Sequence, residues 1–202
     1  MKKIFLALFV VVGLGVAFLG WRYYAVMSYW EGPVPEILSE TLEKDADTMS
    51  VAFTSRVDSP LNAVFRAFSE PERSREFSNI VRYSKLLRSE GNRKVVELEM
   101  VILGQPQHFT LAFTFFPGER RVTIRTVEDS LTDLKGEYKF TPSPDGAKTM
   151  VTYTGTAKDK VKMPISLALQ KSALRETFVA TIQALKKGLA AQGQGSQTTG
   201  AS

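Results

Sequence analysis

Between Met49 and Ala157 the chain falls again and again into period-two alternation, and after Ile165 it changes to a helical period and keeps it. Within Arg93 to Leu103, Val96, Leu98, Met100 and Ile102 alternate with Glu97, Glu99 and Val101, the pattern of a sheet with one wet face. Phe109, Leu111, Phe113 and Phe115 repeat it, Pro117-Gly118-Glu119 turns the chain into Val122 to Val127, and Leu134, Gly136, Tyr138 and Phe140 alternate with Lys135, Glu137 and Lys139. Pro142 to Gly146 turns it again into a last strand at Thr149 to Ala157. With Met49 to Val57 and Ile80 to Leu87 this predicts about seven strands, most joined by short connections and therefore antiparallel. A single long helix follows from Ile165 to about Leu189, opened by Met163-Pro164, with Leu167, Leu174, Phe178, Ile182, Leu185 and Leu189 on one stripe. A helix of that length needs a broad apolar surface, and the inner face of the sheet is the only candidate. The class is α+β.

The first strand leads into helices rather than a hairpin. Asp58-Ser59-Pro60 supplies a capping residue and proline at the first helical position. Leu61, Val64, Phe65 and Phe68 then fall at helical spacing, Ser69-Glu70-Pro71 interrupts, and Glu72 to Phe77 forms a second short helix. The inward parities of the strands are rich in large flexible and aromatic groups: Leu98, Met100, Phe109, Phe113, Phe115, Tyr138, Phe140 and Tyr153, facing Leu174 and Phe178 of the long helix. These ten side chains either fill a core or line a pocket, since both use the same residue types.

Outside this region lie segments of different character. Ile4 to Trp21 is a run of 18 residues without a charge, reaching about 27 Å as a helix, enough for a thin hydrocarbon layer. Trp21, Tyr23, Tyr24, Tyr29 and Trp30 crowd its C-terminal end, where amphipathic rings suit the headgroup level. A cleaved signal peptide is the competing reading, but Val16-Ala17-Phe18-Leu19-Gly20-Trp21 lacks the small-residue pattern of a cleavage site. Residues 1–30 are therefore expected to be a single-pass membrane anchor. Lys2 and Lys3 against Arg22 place the N-terminus in the cytoplasm and the folded part in the periplasm or outside the cell. Residues 31–47, acidic and with two prolines, read as a solvated spacer with one short helical turn near Ile37 to Leu42. Residues 48–190 form the folded domain, and 191–202, AQGQGSQTTGAS, read as a polar tail without structure.

The order strand, two short helices, six antiparallel strands and a long C-terminal helix resembles the START-like (SRPBCC) superfamily, the helix-grip fold shared with polyketide cyclases/dehydrases and birch-pollen-type ligand carriers. The resemblance runs from about Met49 to Leu189 and rests on the opening VDSPLNAVFRAFSEPERSREFS, the Leu134 to Tyr138 strand with Tyr153 to Gly155, and Pro164 ahead of the last helix. It implies a curved sheet wrapped around that helix and a hydrophobic cavity between them for a lipid-like or polycyclic guest.

Other chemistry is largely excluded. Net charge is +5, but Lys2, Lys3 and Arg22 flank the apolar run; taking those three from 26 basic residues leaves 23 against 21 acidic ones, so a nucleic-acid partner is not expected. There is no cysteine, which removes thiolate chemistry and cysteine-ligated metals. His108 is the only histidine and takes the parity opposite to Phe109, that of the surface. Glu97 and Glu99 share a strand face that points to water, and the only closely spaced glycine pairs, Gly13/Gly15 and Gly193/Gly195, sit in the apolar run and the tail. No catalytic residue, metal or cofactor is expected. Tyr138 and Tyr153 are the candidate polar handles of a pocket. Two basic runs, Lys158/Lys160/Lys162 and Arg73/Arg75/Arg82, are either solvated surface or a docking face for anionic headgroups. The expected function is membrane-tethered binding of a hydrophobic small molecule, a lipid, quinone or polycycle, as carrier or sensor. The alternatives are a cyclase/dehydrase-like enzyme and an envelope interaction module with a filled core. Ligand identity and oligomeric state are not legible.

Overall fold

The chain divides into two units, Met1–Val34 and Pro35–Ser202. A computed structural model describes residues 35–127, 132–160 and 165–197, together with Trp30. The apolar run Ile4 to Trp21 lies outside the described residues. Among those that are described, no helix is long and apolar enough to cross a membrane.

Eight strands form one antiparallel sheet: β1 (Ser39–Asp45), β2 (Thr48–Val57), β3 (Val81–Glu90), β4 (Arg93–Ile102), β5 (Gln105–Phe116), β6 (Arg121–Thr126), β7 (Thr132–Pro142) and β8 (Thr149–Asp159). Their order is β1-β2-β8-β7-β6-β5-β4-β3. From β3 to β8 it is a plain meander, each strand pairing with the next. The exception is β2, which pairs with β8 across the length of the fold, so the segment after β2 must travel to the far edge. That segment is α1 (Leu61–Phe68), a short 3₁₀ turn (Pro71–Arg73) and α2 (Ser74–Phe77). The second short helix of the sequence reading is thus split in two. Proline also enters one position earlier than expected: Pro60 is itself the N-cap of α1, and no side chain caps that end. The Thr149 hydroxyl ties the entry down by donating to the Ser59 carbonyl at 2.8 Å.

One strand was not foreseen. Ser39–Asp45 was expected to be spacer, with a helical turn at Ile37 to Leu42; instead it hairpins onto β2 through Ala46, whose φ is 51°, pairing Ser39 with Thr54 and Asp45 with Thr48. Its acidic composition is correct for solvent exposure, because only Leu42 in this strand is half-buried. Charged side chains are what a soluble protein places on a sheet edge to discourage further pairing. The edge strand also reaches the long helix α3 (Leu167–Gln197): Arg175 bridges to Glu40, and Lys44 Nζ donates to Gln170 Oε1 at 2.7 Å. At the other edge β3 carries two register irregularities, between Val81 and Tyr83 and between Leu86 and Arg88, which likewise spoil a template.

Helix α3 packs on the inner face of the sheet. Phe178, Ile182 and Leu185 of the expected stripe are buried, whereas Leu167, at the helix start, is 43% exposed and belongs to the rim. Phe178 stacks on Phe53 of β2 with ring centroids 4.8 Å apart and an interplanar angle of 16°. The helix continues to Gln197, through residues read as unstructured tail. Once a helix is nucleated each added residue gains a hydrogen bond, and alanine and glutamine favour the extension while Gly193 and Gly195 oppose it. Residues 198–202 lie outside the described ones.

Candidate functional site

Helix α3 presents two different faces to the sheet. Its large side chains make the contact just described. A second row, Ala173, Thr177, Thr181, Ala184 and Gly188, is spaced by three or four residues and consists of small side chains; every one of them borders an open space. This row leaves a cavity of about 590 Å³ between helix and sheet, within the usual range for small-molecule sites. A cavity survives folding only where neighbours cannot collapse into it. Here the large side chains of the same helix, seated on the rest of the sheet, hold the two layers apart.

Of the ten side chains proposed from strand parity and from the helical stripe, Leu98, Met100, Phe109, Phe113, Tyr138, Tyr153, Leu174 and Phe178 border the cavity. Phe115 and Phe140 do not: both are buried in the solid part of the core. Phe140 lies one row beyond Tyr138 and Tyr153, paired with Val151, whereas Phe115 shares their cross-strand row beside Val122. Phe140 is taken up by α1, making edge contacts with Phe65 at 5.5 Å and Phe68 at 5.2 Å between centroids. Phe68 also packs on Tyr138 at 4.5 Å. This aromatic cluster closes the deep end. Parity along a strand gives the face but not the depth, so both residues carried the same signal as true wall residues.

The opposite end is the mouth. Arg73, Gln105 and Leu169 border the cavity and are exposed, so the opening lies between the 3₁₀ turn, the β4–β5 hairpin and the start of α3. Leu103 and Gly104 form the tip of that hairpin with φ of 53° and 76°. A leucine in the left-handed region costs about 1–2 kcal/mol, and here it adds an apolar side chain to the rim. Gln105, Gln107 and Gln170 add polar groups beside it. Sequence reasoning passed over these glutamines and the threonines of α3 because it sought apolar inward residues. The small-residue row at helical spacing was the signal that could have found them.

Charge is nearly absent from the wall. Among the described residues only Glu70 and Arg73 border the cavity with charged groups, and they pair with one another at 2.8 Å. Arg73 is held from the other side by Glu76 at 2.7 Å, so this arginine is committed to structure rather than offered to a headgroup. Of the other basic run, Lys158 pairs with Asp47 at 3.4 Å and Lys162 lies outside the described residues. His108 is on the exposed face, 3.4 Å from Glu99. No group of three or more possible metal ligands occurs among the described residues.

The deep end holds two phenols side by side, Tyr138 and Tyr153, with centroids 4.6 Å apart. Burial, and then the neighbouring Tyr153, push the Tyr138 hydroxyl far above the usual tyrosine value, and Tyr138 is hydrogen-bonded to Thr181. Thr181 donates its own hydrogen to the Thr177 carbonyl at 2.9 Å, so its oxygen is the acceptor and Tyr138 the donor. Burial likewise pushes Tyr153 up to about 12. The Tyr153 ring leans back over Gly136 of β7 and Gly155 of β8, which pair with each other. A Cβ at Gly136 or Gly155 would overlap that ring, and at Gly155 it would also lie 2.8 Å from the Lys135 carbonyl oxygen. Two glycines in register in mid-sheet are otherwise a weakness; at this point they make room for a tyrosine.

An antiparallel sheet closed over by one long C-terminal helix, two short helices between its first family strand and the meander, and an apolar cavity between the layers define a helix-grip protein of the START-like superfamily. Within it, the chain belongs to the family described as polyketide cyclase / dehydrase and lipid transport, which it matches over residues 48–190. Strand β1 precedes that match. No curated protein matches significantly. Solved structures do. The Zhui aromatase/cyclase of a Streptomyces species is 15% identical, with 71% of this chain and 94% of that one covered and a TM-score of 0.63. A START superfamily protein of Mycobacterium smegmatis is 18% identical, covering 71% and 98% with a TM-score of 0.60. A STAR-related lipid transfer protein of Xanthomonas axonopodis is 19% identical, covering 75% and 98% with a TM-score of 0.58. At these identities the likeness is one of fold, and function must be argued from the site.

Proposed function

We propose that this protein binds a hydrophobic small molecule, a lipid, quinone or polycycle, in the space between sheet and α3, and acts as its carrier or sensor. The observation that carries the reading is the cavity of about 590 Å³ bounded on the helix side by a row of small residues. A filled scaffold has no use for such a row, since replacing small by larger apolar side chains would tighten the core. Walls whose charged groups are limited to the Glu70–Arg73 pair, and a mouth edged by glutamines, suit a largely apolar guest that enters with little change in protonation. The family match and the fold of the lipid-transfer and cyclase proteins support the same reading without naming a ligand.

The tether is part of the proposal. Ile4 to Trp21, inserted as a single span, keeps the domain within reach of a membrane and raises the effective concentration of a poorly soluble ligand around it. The lysines before the run orient the domain to the periplasm or cell exterior. One experiment addresses both parts: the full-length chain is fractionated, extracted from membranes with a mild detergent and examined by native mass spectrometry. The expected result is recovery in the membrane pellet and a noncovalent adduct of lipid, quinone or polycycle mass that disappears on denaturation. A chain that washes off membranes with salt contradicts the tether. A domain that stays empty across lipid and quinone mixtures contradicts the carrier.

A further inference from the structure

Tyr153 borders the cavity, with its hydroxyl seated over the Gly136–Gly155 pair and without a hydrogen-bond partner among the described residues. Its neighbour differs: Tyr138 donates to Thr181, and Thr181 in turn to the Thr177 carbonyl. A buried phenol ordinarily finds a partner, so at the closed end of an otherwise apolar space one donor and acceptor is left over. We infer that Tyr153 is the group that reads the inserted end of the ligand, and that this end is neutral, a hydroxyl or a carbonyl, on an otherwise apolar molecule.

The inference rests on the binding reading above and narrows it. Three features carry it. The position is fixed: the Tyr153 ring is held between Tyr138 and the Gly136–Gly155 pair, so its oxygen cannot swing to the outer surface without leaving a void behind. The surroundings are apolar: Val51 and Ile124 flank the glycine pair in the same row, and Phe53 faces Tyr153 in register. Positive charge is remote: the nearest cation of the wall, Arg73, is at the mouth and engaged by Glu70 and Glu76. Both phenols stay protonated at any physiological pH, Tyr153 to about 12. The deep end therefore offers hydrogen bonds without charge. A carboxylate or phosphate placed there would be desolvated with no counter-ion, which is strongly unfavourable, whereas a neutral oxygen satisfies the phenol.

Naphthalene, 2-naphthol and 2-naphthoate present the same ring system with no polar group, a neutral one and an anion. Each is titrated as a displacer of the neutral fluorophore N-phenyl-1-naphthylamine from the full-length chain in amphipol, with protein-free amphipol as blank. For the wild type 2-naphthol is expected to displace on the order of fivefold to tenfold more tightly than naphthalene, the value of one net hydrogen bond, and 2-naphthoate least well. Tyr153→Phe keeps the ring and removes only the oxygen. It is expected to abolish the naphthol preference and leave naphthalene unchanged; Tyr138→Phe, measured beside it, is expected to keep the preference. A preference that survives Tyr153→Phe, or naphthoate binding as tightly as naphthol, overturns the inference and leaves the carrier reading standing. If neither the fluorophore nor any displacer binds the wild type, both fall.

Discussion

Replacing Ala173 with tryptophan is expected to weaken ligand binding by at least about 100-fold, roughly 2.7 kcal/mol, while the protein still folds. Ala173 belongs to the small-residue row of α3 and borders the cavity one helical turn from Leu169 of the mouth. A large side chain there projects into open space, so it occupies the ligand's volume without the 1–3 kcal/mol that overpacking a filled core costs. The check is displacement of the neutral fluorophore together with circular dichroism and a thermal transition. Unchanged affinity would place the ligand elsewhere on the molecule. A collapse of stability would mean that the gap is smaller than it looks.

Phe178→Ala tests the row of large side chains on the same helix, and the expected result is a loss of about 3–5 kcal/mol in unfolding free energy. Phe178 is 3% exposed, and its stack on Phe53 is the contact through which the long helix is seated on β2. Domains of this size are stable by only about 5–15 kcal/mol, so about a fifth of the total or more is at stake. Urea unfolding monitored by far-ultraviolet circular dichroism reads it out. Leu167→Ala, at an exposed rim position, is expected to change stability by less than about 0.5 kcal/mol. A similar cost for the two would show that the helix is held by its ends rather than by its middle.

The two variants share one helix because the helix has two jobs, and that division explains what was and was not legible. Period-two runs such as Val96 to Ile102 and Phe109 to Phe115 announced strands, since one dry and one wet face leave no other arrangement. The same signal gave the inward face of the eight strand candidates, and the helical stripe gave Leu174 and Phe178. It could not give depth: Phe140 and Tyr138 are two residues apart on one face, yet Phe140 is enclosed by Phe65 and Phe68 while Tyr138 stands at the cavity wall. That distinction is made by α1, whose place over the sheet depends on the long-range pairing of β2 with β8. Strand β1 was missed for a different reason. An edge strand buries almost nothing, so Glu40, Glu43 and Asp45 look like spacer, and only pairing with β2 reveals the strand. The cavity itself was written in the row Ala173, Thr177, Thr181, Ala184 and Gly188, which is conspicuous only once helix residues are read for size as well as for polarity.

Everything functional here depends on unfilled apolar room between the inner face of the sheet and α3. Crystals of the protein stripped of ligand and pressurised with xenon test this directly, because xenon occupies dry apolar cavities and leaves packed cores alone. The expected density lies among Leu98, Phe113, Leu174 and Ala184. Side chains closing that volume, with no xenon between the layers, would contradict the account.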